Sequence, residues 1–526
     1  MGSVSSYEDP KAVLGNDKFE QDTRIAVIGA GVSGIATAGH LLKLGANVSV
    51  FERSSVSSGV WHFDSRVTNS PSYPSETPSA GDYKTSSPGQ FSLEKQKQRG
   101  KSGSHPLDSS DPTELQVAFS PPGPCYAGLK NNVPTTLMYS TLGPWPDGTP
   151  DFTEHGNLEK YLQGLSSKSG VDDVTLFNTR VEAAKKSADG KTWDLRTVTL
   201  LKGEGEPRLI ERNWTFDALV VASGHYNLPR VPTLPGLSEW KASFPSRVIH
   251  SKEYRYAETF RDKNILIVGG GTSAMDVCRE THEHAKSVTQ STRDGEFDLP
   301  ASILPESVKR VGAIDSFVTT TTATNGSSEL APSDHLPGYV LLKDGTKLTD
   351  IDHVILATGY INSYPFLSQF HADNTPIDAA TRDILVTAEG SMIHNLYKDI
   401  FYTEDPSLSF VGVPYYSATF SLFDFQAQVV ARILTGKSRL PDLEARRQEY
   451  DTKVATKGRG RKFHSLAESG AELAYVEDIV TWVNDSAEDS TIEPVPGHTE
   501  EWKHKYELMK EKMRQLRQGS ASARFP

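Results

Sequence analysis

Apolar residues in this chain come in short runs, several of them closed by glycine. Ile25-Ala26-Val27-Ile28 ends at Gly29 and Ile265-Leu266-Ile267-Val268 at Gly269; Leu219-Val220-Val221-Ala222-Ser223 ends at Gly224 and Val354-Ile355-Leu356-Ala357-Thr358 at Gly359. A short continuous apolar run with a turn residue at its end reads as a strand buried on both faces, as in a parallel sheet. Behind the first run, Ile35, Ala38, Leu41 and Leu42 recur at helical spacing and Gly45 stands where a C-terminal cap is wanted. The pattern predicts strand 24–28, a helix over about 33–44 and strand 47–52, one βαβ unit. Further along, it predicts a helix over about 157–166 and strands around 174–184 and 192–201. Asp189-Gly190 supplies a hairpin turn and Asp344-Gly345 a second one.

Elsewhere the pattern fails. Residues 1–22 are polar and are expected to be unfolded. Between Asp64 and Pro124 the chain is rich in Ser, Pro, Gly and Lys, with neither helical nor strand periodicity. It reads as a long surface insertion, largely disordered. From Glu500 the tail is charged and helix-prone. The apolar runs ending at Gly224 and Gly359 bracket residues 225–353, which suggests one domain inserted in another. The organisation expected is an unfolded segment at 1–22, a first nucleotide domain at 23–230 carrying the 64–124 insertion, a second nucleotide domain at 231–340, the rest of the first at 341–497, and a helical tail at 498–526.

With 526 residues the chain is too long for one core. Hydrophobic content of 37% and charged content of 23% are ordinary for a globular protein. The net charge of -12 argues against nucleic acid or an anionic membrane as partner. No run of residues is long and apolar enough to span a bilayer, and no secretory apolar core is evident. Met1-Gly2-Ser3-Val4-Ser5-Ser6 fits the myristoylation pattern, but no polybasic second signal follows. A cytoplasmic location is the expectation. Homo-oligomerisation is left open.

Chemistry enters with the glycines. Gly29-Ala30-Gly31-Val32-Ser33-Gly34 and Gly269-Gly270-Gly271-Thr272-Ser273-Ala274 each follow a strand and open a helix. That arrangement holds a dinucleotide pyrophosphate on backbone N–H groups at a helix N-terminus. Two such turns suggest two dinucleotides on one enzyme, a flavin and a nicotinamide facing each other for hydride transfer. Glu52 closes the strand about 20 residues on, where an acid hydrogen-bonds a ribose hydroxyl. The second unit lacks that acid; Ser291-Thr292-Arg293 stands there instead. A 2′-phosphate would be stabilised by Arg293, so NADPH is preferred over NADH, and contacts over Gly271–Asp276, including Met275, complete its site. Only Cys125 and Cys278 occur. No C-x-x-C exists, which excludes a dithiol flavoprotein reductase, a disulfide framework and a thiolate zinc site; no metal is expected.

The combination resembles the flavin-containing monooxygenases, class B flavoproteins, in their soluble, fungal-like branch. Phe244-Pro245-Ser246-Arg247-Val248-Ile249-His250-Ser251-Lys252-Glu253-Tyr254 is similar to the family signature F-x-G-x-x-x-H-x-x-x-[YF], with Ser246 in place of glycine. Phe51-Glu52-Arg53 through Gly59-Val60-Trp61 resembles F-E-x…G-G-x-W, with Ser58 in place of the first glycine. Asn131-Asn132-Val133-Pro134 resembles T-N-x-P, Leu356-Ala357-Thr358-Gly359-Tyr360 resembles F-A-T-G-Y, and Phe425-Gln426-Ala427-Gln428 sits where the family has a Q-A-bearing helix.

The resemblance implies an α/β fold of two three-layer Rossmann-like domains, the NADPH domain inserted in the FAD domain. It implies an FAD site at Gly29–Gly34, Glu52, Val60, Trp61, Asn131 and Asn132, with Asn132 and His250 as catalytic candidates. His250 reads first as a structural histidine holding the linker to the NADPH domain. The activity implied is NADPH-dependent, of the N,N-dimethylaniline monooxygenase kind. One atom of O2 would go to an amine nitrogen or a sulfide sulfur through a flavin C4a-hydroperoxide. A Baeyer–Villiger or N-hydroxylating flavoprotein, and a nucleotide-binding redox sensor without turnover, stay open as alternatives.

Overall fold

The computed structural model describes residues 19–75, 77–91, 111–202, 207–320 and 335–517. The chain opens with β1 (Arg24–Ile28), α1 (Val32–Lys43) and β2 (Asn47–Phe51), followed by β3 (Thr175–Leu176) and β4 (Ala218–Val221). Next come β5 (Val248–His250), β6 (Asn264–Val268), α2 (Thr272–Thr281), β7 (Ser287–Ser291), β8 (Val308–Val311) and β9 (His353–Leu356). Last are β10 (Leu396–Tyr397), β11 (Phe401–Tyr402), β12 (Leu408–Phe410), α3 (Thr419–Leu434), α4 (Ala471–Asp485) and α5 (Glu500–Arg517).

Two sheets organise the described residues. One runs β10-β11-β12-β4-β1-β2-β3, parallel from β12 to β3. The other runs β8-β7-β6-β9-β5 and is parallel throughout. The second sheet is built wholly from residues 248–356, whereas the first takes strands from either side of that stretch. The fold is thus α/β, with one Rossmann-like unit inserted in another.

The apolar runs of the sequence are explained by what covers each face. Ile25 and Val27 join a core with Leu41 of α1, Val429 and Val430 of α3 and Ile479 of α4. Ala26 and Ile28 point the other way, into a core with Trp193, Leu195 and Phe216 of the three-stranded sheet Thr179–Lys186, Trp193–Leu201, Arg208–Phe216. A strand covered on both sides has no position for a polar side chain, hence the continuous run. The second sheet repeats the arrangement. Ile265 and Ile267 meet Ala274, Val277 and Cys278 of α2, and Leu266 and Val268 meet Trp240, Phe317 and Val340.

The βαβ unit and both hairpins stand as the pattern predicts, with Gly190 and Gly345 at positive φ. The 64–124 insertion departs from expectation. Its described part carries helix Pro112–Phe119, capped by Asp111 accepting the Thr113 N–H at 2.7 Å, with Leu115 and Phe119 packed against Val198 and Leu200. Ser86 N–H donates to the buried Glu182 at 2.6 Å. The order comes from partners elsewhere in the chain, which leave no local periodicity. Residues 76 and 92–110 lie outside the described residues, as do 1–18 with the Met1–Ser6 pattern. The tail is α5, seated through Trp502 and Tyr506 against Leu137 and Ala418. Among the described residues no helix is long and apolar enough to cross a membrane, and no His/Cys/Asp/Glu group is arranged to hold a metal.

Candidate functional site

At the first turn, Gly29 has φ 103° and a Cβ there would lie 2.6 Å from the Ala222 carbonyl oxygen. A Cβ on Gly34 would fall on the Gly29 carbonyl, so α1 could not seat against β1. Gly31 is different: its nearest neighbour is the Cα of Gly59, at 3.4 Å from a built Cβ. Gly31 is also the N-cap of α1, and no side chain caps the helix. The first-turn amides are therefore available to an external acceptor. Val32 is half-buried, and the buried Ser33 hydroxyl lies beside Gly412.

Two side chains complete this cradle. Glu52 is buried at the end of β2, its Oε2 accepting the Ala30 N–H and its Oε1 the Ser54 N–H, both at 2.7 Å. Ser58 donates its N–H to the Ala30 carbonyl at 2.9 Å and has φ 110°. Its hydroxyl is buried and has no partner among the described residues. At this turn a serine backbone in glycine's region, which is strained, stands beside an orphan buried hydroxyl. Uncapped amides, space over Gly31 and an unsatisfied donor fit a dinucleotide diphosphate. Val60 and Trp61 follow in a 3-10 turn, and the Trp61 ring lies edge-on to Phe420 at 6.2 Å. Trp145 and Tyr161, stacked at 3.8 Å, extend this aromatic group.

Asn131 and Asn132 separate in role. Asn131 is buried, its Nδ2 donating to the Val133 and Asp151 carbonyls at 2.7 Å and its Oδ1 accepting the Thr153 N–H at 2.6 Å. Its amide staples the turn. Asn132 is exposed beside it.

The second turn repeats the first with small changes. Gly269 has φ 135° and a Cβ there would fall on the Ala357 carbonyl, while a Cβ on Gly271 would meet nothing within 4 Å. Gly271 again is an N-cap without a side-chain cap. Thr272 and Ser273 reach the surface, but Ala274 and Met275 face inward and are buried. Asp276 accepts from the Tyr126 hydroxyl at 2.9 Å, and burial pushes its carboxyl up to about 6. Arg293, just past β7, is exposed.

His250 is fully buried. Its Nδ1 accepts the Lys252 N–H at 3.1 Å, its own N–H donates to Glu253 at 2.9 Å, and its ring lies edge-on to Tyr360 at 5.5 Å. Burial and then the Lys252 charge push the imidazole down to about 3, so it is neutral near pH 7. The Tyr254 hydroxyl donates to Glu280 of α2 at 2.7 Å. Ser246, standing where the signature has glycine, is an exposed turn residue without a positive φ, so its Cβ is tolerated.

Some residues of the site carry no sequence signal strong enough to find them. Gly412 has φ 97°, sits against Ser33 and donates its N–H to the Gln426 Oε1 at 2.9 Å. Gln290 donates to the Gly269 carbonyl at 3.0 Å and so fixes the second turn. Ser58 is noticeable only as a departure from G-G-x-W.

A family model described as flavin-binding monooxygenase-like matches residues 124–306 and 336–489. The flavin-containing monooxygenase ustF2 of Aspergillus flavus is 39% identical, over 94% of this chain and 98% of its own length. The flavin-containing monooxygenase iboF of Amanita muscaria is 28% identical over 88% of each chain. Among solved structures, an S-allyl-L-cysteine S-oxygenase from Allium sativum has the same fold, with TM-score 0.65, 23% identity and 96% of each chain covered.

Proposed function

This chain belongs to the flavin-binding monooxygenase-like family, and from that premise we propose that it oxygenates a nitrogen or sulfur centre of a small molecule. It is an NADPH-dependent flavin monooxygenase that uses FAD and NADPH. The proposal assigns FAD to the turn at Gly29–Gly34 with Glu52, Ser58 and Gly59, and NADPH to the turn at Gly269–Gly271 with Arg293. When bound, the reduced flavin supplies the two electrons that activate dioxygen, and NADPH replenishes them.

The residues of the chain then bind, orient and exclude water. α1 and α2 offer their first-turn amides to the two diphosphates. Asn132 is free to donate from the turn that Asn131 staples. Trp61, Phe420, Trp145 and Tyr161 form an apolar wall that keeps water from the reacting centre. His250 is assigned a positioning role: buried and neutral, it ties β5 to the loop carrying Lys252 and Glu253. An amine or sulfide is a nucleophile as it stands, so oxygen transfer to it needs no general base. None of the groups placed at the first turn is an acid/base dyad.

The observation that carries this reading is the pair of glycine turns, one on each of two sheets of one chain, in which the helix-capping glycine, Gly31 or Gly271, meets no clash at a built Cβ. The test is NADPH consumption under oxygen with amines, sulfides and ketones in turn, and products identified by mass spectrometry. An N-oxide or S-oxide is expected. Ester formation from ketones alone would overturn the nitrogen/sulfur assignment, and NADPH consumption without any oxygenated product would overturn the oxygenation itself.

A further inference from the structure

The segment that carries Asn132 crosses from one nucleotide unit to the other. By chain order residues 125–133 belong to the first unit, between β2 and β3. Yet Tyr126 and Leu129 join the core of the second unit, with Ile265 and Ile267 of β6 and Ala274, Val277 and Cys278 of α2. A few residues on, Val133 joins a cluster of the first unit, with Ile35 of α1, Trp61 and Phe420. Asn132 is the exposed residue between these two anchorages.

Each anchorage has its own polar tie. On the first-unit side it is the Asn131 amide, bonded to Val133, Asp151 and Thr153. On the second-unit side the Tyr126 hydroxyl donates to Asp276 Oδ2 at 2.9 Å and the Ala127 N–H to the Arg255 carbonyl at 2.9 Å. Gly128 comes so near α2 that a Cβ there would fall on the Glu280 carboxylate. Asp276 and Glu280, four residues apart, share one face of α2. Glu280 accepts from Tyr254, in the loop after β5, at 2.7 Å, and the Tyr126 and Tyr254 rings meet edge-on at 5.5 Å. Two alike hydroxyl–carboxylate bonds thus reach the same helix face, and only one of them comes from the segment leading to Asn132. Apolar packing is non-directional and leaves that segment free to slide along α2. The bond to Asp276 is directional and fixes its register.

We propose that Tyr126 is a positioning residue for oxygenation: through Asp276 it sets where Asn132 stands relative to α2, and so relative to the nucleotide that α2 holds. The inference rests on the assignment of NADPH to the second turn and of Asn132 to the reacting centre. It adds that the place of Asn132 is decided from both units, by Asn131 on one side and by the Tyr126 hydroxyl on the other.

Tyr126→Phe removes one oxygen and leaves the ring in its core; Tyr254→Phe does the same at the matching bond to Glu280 and is the control. Hydrogen exchange of the FAD-loaded protein with NADP⁺ tests the position without recourse to turnover. The amides of Ala127, Leu129 and Asn131, bonded to Arg255, Tyr126 and Thr153, should exchange faster in Tyr126→Phe. The change expected is roughly ten-fold, the worth of one hydrogen bond to a charged group. In Tyr254→Phe these amides should keep their rates, and the amides of α1 should be unchanged in both variants. In turnover, Tyr126→Phe should shift consumed NADPH from oxygenated product toward hydrogen peroxide, and Tyr254→Phe should not. The double variant Tyr126→Phe/Asn132→Ala should release no more peroxide than Asn132→Ala alone, because a residue acting through Asn132 then has nothing left to position. Additive peroxide release, or equal effects of the two tyrosine variants, would overturn the proposal. Faster exchange with an unaltered product share would make Tyr126 a structural tie and overturn it as well. A wild-type product share in Asn132→Ala would instead remove the reading on which the inference rests.

Discussion

The Lys252 ammonium lies 3.0 Å from Asp82, and the same carboxylate receives both forks of Arg53 at 2.9 and 3.0 Å. One acid from the insertion thus joins the residue after Glu52 to the loop after His250. Arg53 and Lys252 also share Asn227, through its side-chain and backbone oxygens respectively. The first nucleotide turn, the insertion and the entrance to the second unit meet at this point. Burial alone would raise the Asp82 pKa, but the two cations hold it well below the usual carboxylate range.

Removing that acid leaves the buried Lys252 and the half-buried Arg53 facing each other. Asp82→Ala is expected to cost about 3–5 kcal/mol, the scale for breaking a buried ion pair from one side. Because the folded pKa is depressed, the stabilisation is complete above the unfolded carboxylate value and is lost as pH falls toward the folded one. Urea denaturation at pH 7 and at about pH 2.5, between the folded and unfolded values, checks both statements. A loss within 1 kcal/mol would show that the cluster is solvated.

Gly31 gives a different kind of prediction. A Cβ there meets only Gly59, at 3.4 Å, so the empty turn tolerates a side chain that a diphosphate would not. Gly31→Val is expected to fold and to lose its FAD absorbance after gel filtration. Gly34→Val, whose Cβ would fall on the Gly29 carbonyl, should fail to fold. Stoichiometric FAD in a folded Gly31→Val protein would remove the first turn from the flavin assignment.

What could be read from the sequence was whatever repeats locally. Ile25 to Ile28 and Ile265 to Val268 announce sheet strands because both faces are covered, and the glycines that follow announce turns because only glycine fits. The insertion was illegible for the opposite reason. Asp82 and Ser86 are ordered by Arg53, Lys252 and Glu182, partners up to 170 residues away that leave no period in the segment itself. Site residues divide in the same way. Gly31, Glu52 and Gly271 stand where spacing puts them, but that Asn131 serves the turn and Asn132 the surface is decided by hydrogen bonds to Asp151 and Thr153. Ser58 was visible as an exception to a motif, and only its φ of 110° shows what the exception entails.

Glu472 should make the seating of α5 depend on pH. It is fully buried beside Tyr506 of α5, accepts the Ala418 N–H on both oxygens at 3.0 and 3.1 Å, and is pushed by burial up to about 7. A folded pKa above the unfolded one gives stability that is complete below about 4.5 and is lost as pH rises through about 7. The contribution is on the order of 3 kcal/mol between those limits. Hydrogen exchange in α5 should therefore be slower at pH 5.5 than at pH 8 after correction for intrinsic rates, and Glu472→Gln should remove the difference. The same pH dependence in Glu472→Gln would assign it to another group.

Asn132 tests the site at its working point. The neighbouring Asn131 holds the turn through three bonds, so Asn132→Ala should leave stability within about 0.5 kcal/mol, the usual range for an exposed position. If Asn132 donates to the reacting centre, its loss should lower the share of consumed NADPH that appears as oxygenated product and raise hydrogen peroxide correspondingly. NADPH consumption without substrate should then rise rather than fall, because on this assignment the residue would shield the reacting centre and take no part in delivering electrons. Asn131→Ala is the control. It removes the staple, and should lower stability by about 1–3 kcal/mol through buried groups left unpaired. Unchanged coupling in Asn132→Ala, with wild-type peroxide release, would take Asn132 out of the reacting centre and leave the turn with a structural role alone.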